Sequence, residues 1–459
     1  MRSFRKRPNH EGETMRASRI LLILLACAGA AFATGQKAEL DAVVSKPSVD
    51  VRSHPDFASA RVATLKRNAP VKIAAQQGLW YRLALADKPG YVRVNDVRVA
   101  YAGVAANDNS VLFSGKSGAG RASETAGVRG LDENDLRTAY ANGAQLAKME
   151  SYRVSPAAAA AYAGSHRLAD TTVAYATELQ PADGNKSGGM TQAQKKSGFA
   201  LARGLLSQIG GGLSGKADSA ADVAESTIGK SEAEQSEEEQ ALGPLLAARI
   251  LGARPLWQDD AAQRRVNTIG RWVASHSSRP QLPWTFGVID SADVNAFAAP
   301  GGYVLMTRGL YQLLDSDAEV AAVLGHEISH IVQRDHYNVI RKQEIASTGK
   351  SAALRNVRTG GGIAGGYARE FVERNGAAVM LTSLDRGAEY RSDEAAQVYL
   401  ARSGYNPLAL YSVLQKMASL GNQSARMAQM FKTHPALGDR LDQIDRRGYG
   451  ALERYTDRQ

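Results

Sequence analysis

The sequence predicts a multidomain chain, with a small all-β module near the N-terminus followed by an α+β, mainly helical domain. Three observations carry that reading. Between residues 42 and 102, short runs rich in Val, Leu and aromatics, such as LWYRLALA, alternate with Pro, Gly, Asn and Asp punctuation. From residue 237 onward apolar residues recur at helical spacing, as at Val266, Ile269, Trp272 and Val273. Two strand-like runs, LPWTFGVIDS and AAPGGYVLMTRGL, interrupt those helices, which is the pattern of helices packed on a small sheet. With 459 residues, 44% of them hydrophobic, the chain has material for two or three cores.

The N-terminus reads as an export segment over residues 1–33. Arg16 and Arg19 precede ILLILLACAGAAFA, a run too short for a permanent membrane span, and Ala31-Phe32-Ala33 offers a small-x-small cleavage site. Cys27 is the only cysteine, so no intrachain disulfide can form. Leu24-Leu25-Ala26-Cys27 has the outline of a lipobox, which would make the chain a lipoprotein. The plain alternative is a cysteine within the signal's apolar stretch. Membrane association of the mature chain is therefore expected to be peripheral or lipid-mediated. The formal charge is +10, but the first 26 residues carry six basic and two acidic side chains, so +6 remains for the rest. Spread over more than 400 residues, that excess does not point to a nucleic-acid partner.

Residues 103–236 read as a linker with a helical segment near 128–168, where Ser155-Pro156 makes a good helix opening. Gly/Ser-rich and polar stretches flank that segment, and the charge run SEAEQSEEEQ at 231–240 reads as a solvated helix entry. The main domain is expected over 237–459.

The chemistry gathers on LGHEISHIVQRDH, residues 324–336. Ser316-Asp317-Ala318-Glu319 opens its helix as a capping box. His326 and His330, four residues apart, share one helix face and can converge on one metal, while Glu327 can reach a metal-bound water. Three ionisable groups in an otherwise apolar helix would be costly to bury without such a purpose. His336 is expected to point elsewhere and to be ordinary surface. A third ligand is sought on the segment 383–407, where Glu389 and Asp393 lie one turn apart. Glu389 can complete a His/His/Glu set for one zinc ion, and Asp393 can orient a ligand histidine. The alternative leaves both acids facing solvent and paired with Arg386 and Arg391.

Taken together, HEISH, the later ExxxD within DRGAEYRSDEAA, the lead-in VNAFAAPGGYVLMTRGL and the downstream FKTHPALGDRLDQI resemble the gluzincin metallopeptidases of the HtpX and CAAX prenyl protease superfamily. The soluble periplasmic members with quality-control roles are the nearest type. The resemblance implies a zincin-type domain, with zinc on His326, His330 and Glu389, Glu327 as general base, and Asp393 behind a histidine. It implies that Asn295, Ala296, Phe297 and Ala298 line the cleft and bind an extended substrate. It places His434 near the metal, modulating access or assisting the oxyanion. A purely structural His434 is the alternative. Arg440 becomes a partner for an acidic side chain or a substrate carbonyl. Ser392 stands where alanine is usual. The glycine-rich segment 358–370 reads as a flap or as a surface insertion. Residues 42–102, through Asp50-Val51-Arg52-Ser53, Val71-Lys72-Ile73, Trp80-Tyr81-Arg82-Leu83 and Gly90-Tyr91-Val92, resemble a bacterial SH3-like domain. Such modules bind cell-wall or protein ligands, whereas Trp80 and Tyr81 could equally be packing a tiny barrel.

The function expected is that of a zinc-dependent endopeptidase acting on unfolded or misassembled envelope proteins in the bacterial periplasm. The alternative is a non-proteolytic chaperone or binding protein that uses the β module.

Overall fold

In the computed structural model of the chain, the described residues are 39–85, 89–99, 131–173, 232–351, 363–421 and 424–458. The export segment with Cys27, the glycine-rich stretch 105–127, the polar stretch 180–231 and the run 358–362 lie outside them. The architecture is the expected one: an N-terminal all-β segment, then a mainly helical domain with a small sheet.

Seven strands form one antiparallel sheet: β1 (Leu40–Val44), β2 (Ser48–Arg52), β3 (Arg61–Lys66), β4 (Pro70–Gln77), β5 (Trp80–Leu83), β6 (Gly90–Arg93) and β7 (Val97–Val99). Their order across the sheet is β3-β2-β6-β5-β4-β1-β7. Alternation drives them. Val49 and Val51 on β2, Tyr81 and Leu83 on β5 and Val92 on β6 all turn inward. Trp80 meets Phe57 edge-on, with the Arg93 guanidinium over both rings.

Three short helices follow, α1 (Glu133–Thr138), α2 (Gly143–Ser151) and α3 (Pro156–Ser165). They pack into the main domain: Leu136, Met149 and Tyr152 share a core with Leu246 and Ile250 of α4 (Glu232–Ala253). The acidic run at the start of α4 departs from the solvated entry expected of it. Glu238 and Glu239 are buried, because Tyr337 donates to Glu238 at 2.8 Å and Glu239 takes ion pairs from Arg279 and Arg334. Helix packing on this side turns two surface-like acids inward, and each is admissible there because it is paired.

Helix α5 (Asp260–Ala274) is capped by Asp259, whose carboxylate accepts from the Ala262 amide, and buries Val266, Ile269 and Val273. Removing each of those side chains from water is worth roughly 1.5–3 kcal/mol. The second sheet holds β8 (Thr285–Ile289), β9 (Ala296–Ala299) and β10 (Tyr303–Thr307) in the order β8-β10-β9. Strands β10 and β8 run parallel, and β9 is antiparallel to β10. The β9–β10 turn is Gly301-Gly302, with φ of +75° and +102°. A Cβ on Gly301 would also lie 2.6 Å from the Glu239 carbonyl, so glycine is demanded twice.

After the short α6 (Arg308–Tyr311) comes α7 (Asp317–Val332), then α8 (Asp335–Ser351), α9 (Ile363–Asn375), α10 (Arg386–Arg402), α11 (Leu408–Ser419), α12 (Ala428–Thr433) and α13 (Leu437–Arg447). Ser316 caps α7 by accepting from the Glu319 amide. The box is only half closed, since the Glu319 carboxylate accepts from the Asp315 amide instead of the Ser316 one. Helices α7 and α10 pack together closely, with Gly325 facing Ala396 at their contact. Among the described residues no helix is long and apolar enough to cross a membrane.

Candidate metal centre

The crossing of α7 and α10 assembles the site. Helical spacing puts His326 and His330 on one face of α7, and their Nε2 atoms point at each other across 3.1 Å. Glu389, in the first turn of α10, enters from the other side, with its carboxylate oxygens 3.6 Å from His326 Nε2 and 3.8 Å from His330 Nε2. Asp385 caps α10 by accepting from the Ala388 amide, which fixes that turn. His434, just beyond α12, brings a fourth donor, and one ligand atom from each of the four residues lies within 4.8 Å of the others.

The chemistry of this donor set fits a cation. Glu389 is 1% exposed, and neither of its oxygens has a hydrogen-bond partner, a costly arrangement for a buried carboxylate. Burial and Arg440 both push the His326 imidazole down, yet the carboxylates of Asp393 and Glu389 beside it outweigh them and hold it up at about 9. Burial likewise pushes Glu389 up, but the imidazoles of His434, His326 and His330 win and hold it well below the usual carboxylate range. Two imidazoles and a carboxylate are a zinc ligand set, and their compactness suits one ion.

Each ligand histidine is oriented from behind. His326 Nδ1 is 3.0 Å from Asp393, which is itself gripped by the Arg440 guanidinium, with Nε at 2.9 Å. Burial pushes Asp393 up, but Arg440 and His326 bring it down to about 2. Glu389 and Asp393 are therefore not solvent-facing partners of neighbouring arginines. Arg386 lies near Asp439, and Arg391 donates to Gln333.

His330 has a support that the sequence reading missed. Its Nδ1 is 2.7 Å from Asp335 and 3.1 Å from the Ser392 hydroxyl. The device is a break after α7. Arg334 adopts φ +60°, held by Glu239 at 2.8 Å, and this left-handed residue turns the next one back onto the site. The same break overturns the expectation for His336. It is not surface but 9% exposed, and it lines a cavity of about 10 Å³ with Glu327, His330, Glu389 and His434. Extrapolating α7 as a straight helix put His336 on the wrong face. Burial brings its imidazole down to about 4, so it is neutral at pH 7. The detectable signal was an acid five residues past the second histidine, legible only once the helix is known to end. Changing Asp335 to Asn should weaken zinc binding roughly 10- to 100-fold with little loss of fold, as measured by metal competition and circular dichroism.

Glu327 is 5% exposed and lines both that small cavity and a second one of about 40 Å³. The larger cavity is walled by Leu410, Val413, Leu414 and Met417 of α11, with Met430, and reaches His326 and Arg440. Asn295 and Ala296 line both cavities. The segment 295–298 lies in and beside β9, which has one hydrogen-bonded neighbour, β10, among the described residues. Phe297 and Ala298 are buried, and the 3₁₀ turn Ala378–Leu381 packs against β9. Burial holds His434 below its ordinary range despite Glu389 beside it.

A helix-borne His/His/Glu cluster with an acid next to the first histidine defines the class of metal-dependent hydrolase centres. Residues 260–448 match the model of peptidase family M48. The "Protease HtpX homolog" of Kineococcus radiotolerans is 30% identical over 240 residues, covering 44% of this chain and 78% of that protein. The chain belongs to peptidase family M48. It is also similar to the "Beta-barrel assembly-enhancing protease" of Yersinia pestis, 29% identical over 212 residues, 45% of this chain and 43% of that protein. "Metalloprotease LoiP" of Escherichia coli (strain K12) is 26% identical over 39% of this chain and 68% of its own. The chain thus spans less than half the length of the assembly-enhancing proteases that it matches.

Proposed function

We propose that the chain is an exported, zinc-dependent endopeptidase that hydrolyses peptide bonds in unfolded or misassembled proteins of the bacterial envelope. The observation that carries this is the Glu389 carboxylate, buried with both oxygens unpartnered, against two imidazoles that two further acids orient. His326, His330 and Glu389 hold the ion, and when bound it supplies Lewis acidity, acidifying a water and polarising the scissile carbonyl. Glu327 accepts the proton of that water on its carboxylate and passes it to the departing amine. Asp393 and Asp335 keep the Nδ1 proton on each ligand histidine, leaving Nε2 free to donate its lone pair. His434, neutral at pH 7, stands beside the cluster to assist the developing oxyanion or to limit access to the ion. Arg440 keeps Asp393 ionised. An extended substrate aligns along Asn295, Ala296, Phe297 and Ala298, where it meets Met380 and Leu384 lining the same small cavity.

The envelope substrate class rests on the names of the relatives, in particular the protease that enhances β-barrel assembly. A periplasmic location, with lipid attachment at Cys27 as one means of holding the chain at the membrane, rests on the character of the N-terminal segment. We read the β module as SH3-like, with exposed Phe57 and Val62 available to a cell-wall or protein ligand. The test is metal removal. Purified mature protein should hold one zinc per chain, cleave an unfolded envelope protein, lose that cleavage on chelation and regain it with stoichiometric zinc. A protein that binds no zinc and holds unfolded chains uncut would overturn the proposal in favour of a chaperone.

A further inference from the structure

The β module lies outside the residues that match the family model, yet it is bolted to the elements forming the active site. Gln415 of α11 is 1% exposed and satisfies three backbone groups of the module with one side chain. Its Oε1 accepts from the Val99 amide at 3.0 Å, and its Nε2 donates to the carbonyls of Val94 and Val97, both at 2.8 Å. The residues around it in sequence, Val413, Leu414 and Met417, are the apolar wall beside His326 and Glu327. A second clamp joins Gln76 of β4 to Ser412 at 2.8 Å and to Glu319 at 3.3 Å, so the module also touches the first turn of α7. Lys416 locks Glu319 at 2.6 Å. A third runs from Arg98 of β7 to Asp442 and Asp445 at 3.1 and 2.6 Å, on the helix that carries Arg440. All three clamps lie on helices that continue into the catalytic cluster or the cavity wall.

We propose that the β module is a positioning element of the active site: through Gln415 it fixes α11, and α11 shapes a subsite for one aliphatic side chain next to the scissile bond. This rests on the endopeptidase reading. The subsite's character follows from its lining of Val, Leu and Met side chains, with His326, Glu327 and His434 also on its wall and no Phe, Tyr or Trp among the lining residues. Its small volume suits a leucine or methionine side chain better than an indole. Methionine walls adapt readily, so the pocket keeps one shape only if its helix is held from behind. Buried hydrogen bonds from Gln415 do the holding, and their loss leaves Val99, Val94 and Val97 with unpaired backbone groups.

The experiment compares full-length, zinc-loaded wild type, Gln415→Ala and Gln76→Ala on two matched peptides, with Leu or Trp at the position next to the cleaved bond. Binding of both peptides to the metal-free proteins is measured in parallel. The Leu-over-Trp preference in kcat/KM should fall about five- to tenfold in Gln415→Ala, through KM, with a smaller fall in Gln76→Ala and zinc content unchanged. The binding preference should fall in step. Preferences within about twofold of wild type in both variants, alongside a lowered melting temperature, would show a module that only stabilises and would overturn the inference. Should Gln415→Ala fail to fold, Gln76→Ala, at a partly buried residue on β4, decides alone. A wild type that cleaves nothing removes the enzyme reading, while the binding preferences still decide this one.

Discussion

Replacing Glu327 by Gln is expected to lower kcat by roughly 10²- to 10⁴-fold while leaving bound zinc and the melting temperature close to wild type. The amide keeps the size of the side chain and its place between the two cavities, but it cannot take a proton. Glu327 is not among the four residues whose ligand atoms converge, so its loss spares the donor set. The result separates proton transfer from metal retention, which exchange of Glu389 could not do. Single-turnover cleavage of an unfolded substrate, with metal analysis on the same sample, is the measurement. A Glu327→Gln variant of undiminished rate would remove Glu327 from the proposed mechanism.

Arg440→Met is expected to cost about 3–5 kcal/mol of stability, because it leaves the Asp393 charge buried without its counter-ion. Both partners are almost wholly buried, Arg440 4% and Asp393 3% exposed, so solvent does not replace the lost interaction. The effect has a pH signature. Asp393 stands at about 2 against an ordinary 3.8, so its contribution is fully present above the unfolded value and is lost as pH falls from about 4 through 2. Without the guanidinium, burial dominates and the carboxyl moves upward, which shifts that loss to higher pH. Denaturant melts between pH 2 and pH 7 should therefore converge for the two proteins at the acid end. Zinc affinity falls as well, since a protonated Asp393 no longer holds the His326 proton on Nδ1.

What the sequence made legible was whatever depends on local periodicity. The spacing of His326 and His330, the cap at Ser316 and the short strand-like runs of the β module need only short-range geometry, and they stand in the structure as read. Glu389 required pairing two distant helices, which spacing alone leaves open between a ligand and a solvent-facing acid. Asp335 was missed and His336 misread for a single reason. Both lie past the end of α7, and one residue in the left-handed region at Arg334 rotates everything after it. That conformation is uncommon for arginine and is held here by Glu239, 95 residues earlier in the chain. No local pattern announces such a contact. The same applies to Glu238 and Glu239, whose setting in an acidic run is that of a surface, and to Gln415, an ordinary helix residue until the β module is placed against it.

The depth of the metal centre has a kinetic meaning. His326, Glu327, His330 and Glu389 are each 1–5% exposed, so a peptide bond reaches them only as part of a strand already free of its own neighbours. On the endopeptidase reading, such a site measures first how often a client opens, and only then which side chain it offers beside the scissile bond. Its rate on a given client would then follow the population of the locally opened state, tenfold slower for about every 1.4 kcal/mol of opening free energy. On that reading a correctly assembled protein with several kcal/mol of local stability would outlive the enzyme's attention, and a stalled one would not. Discrimination between them is written in the client's own stability curve.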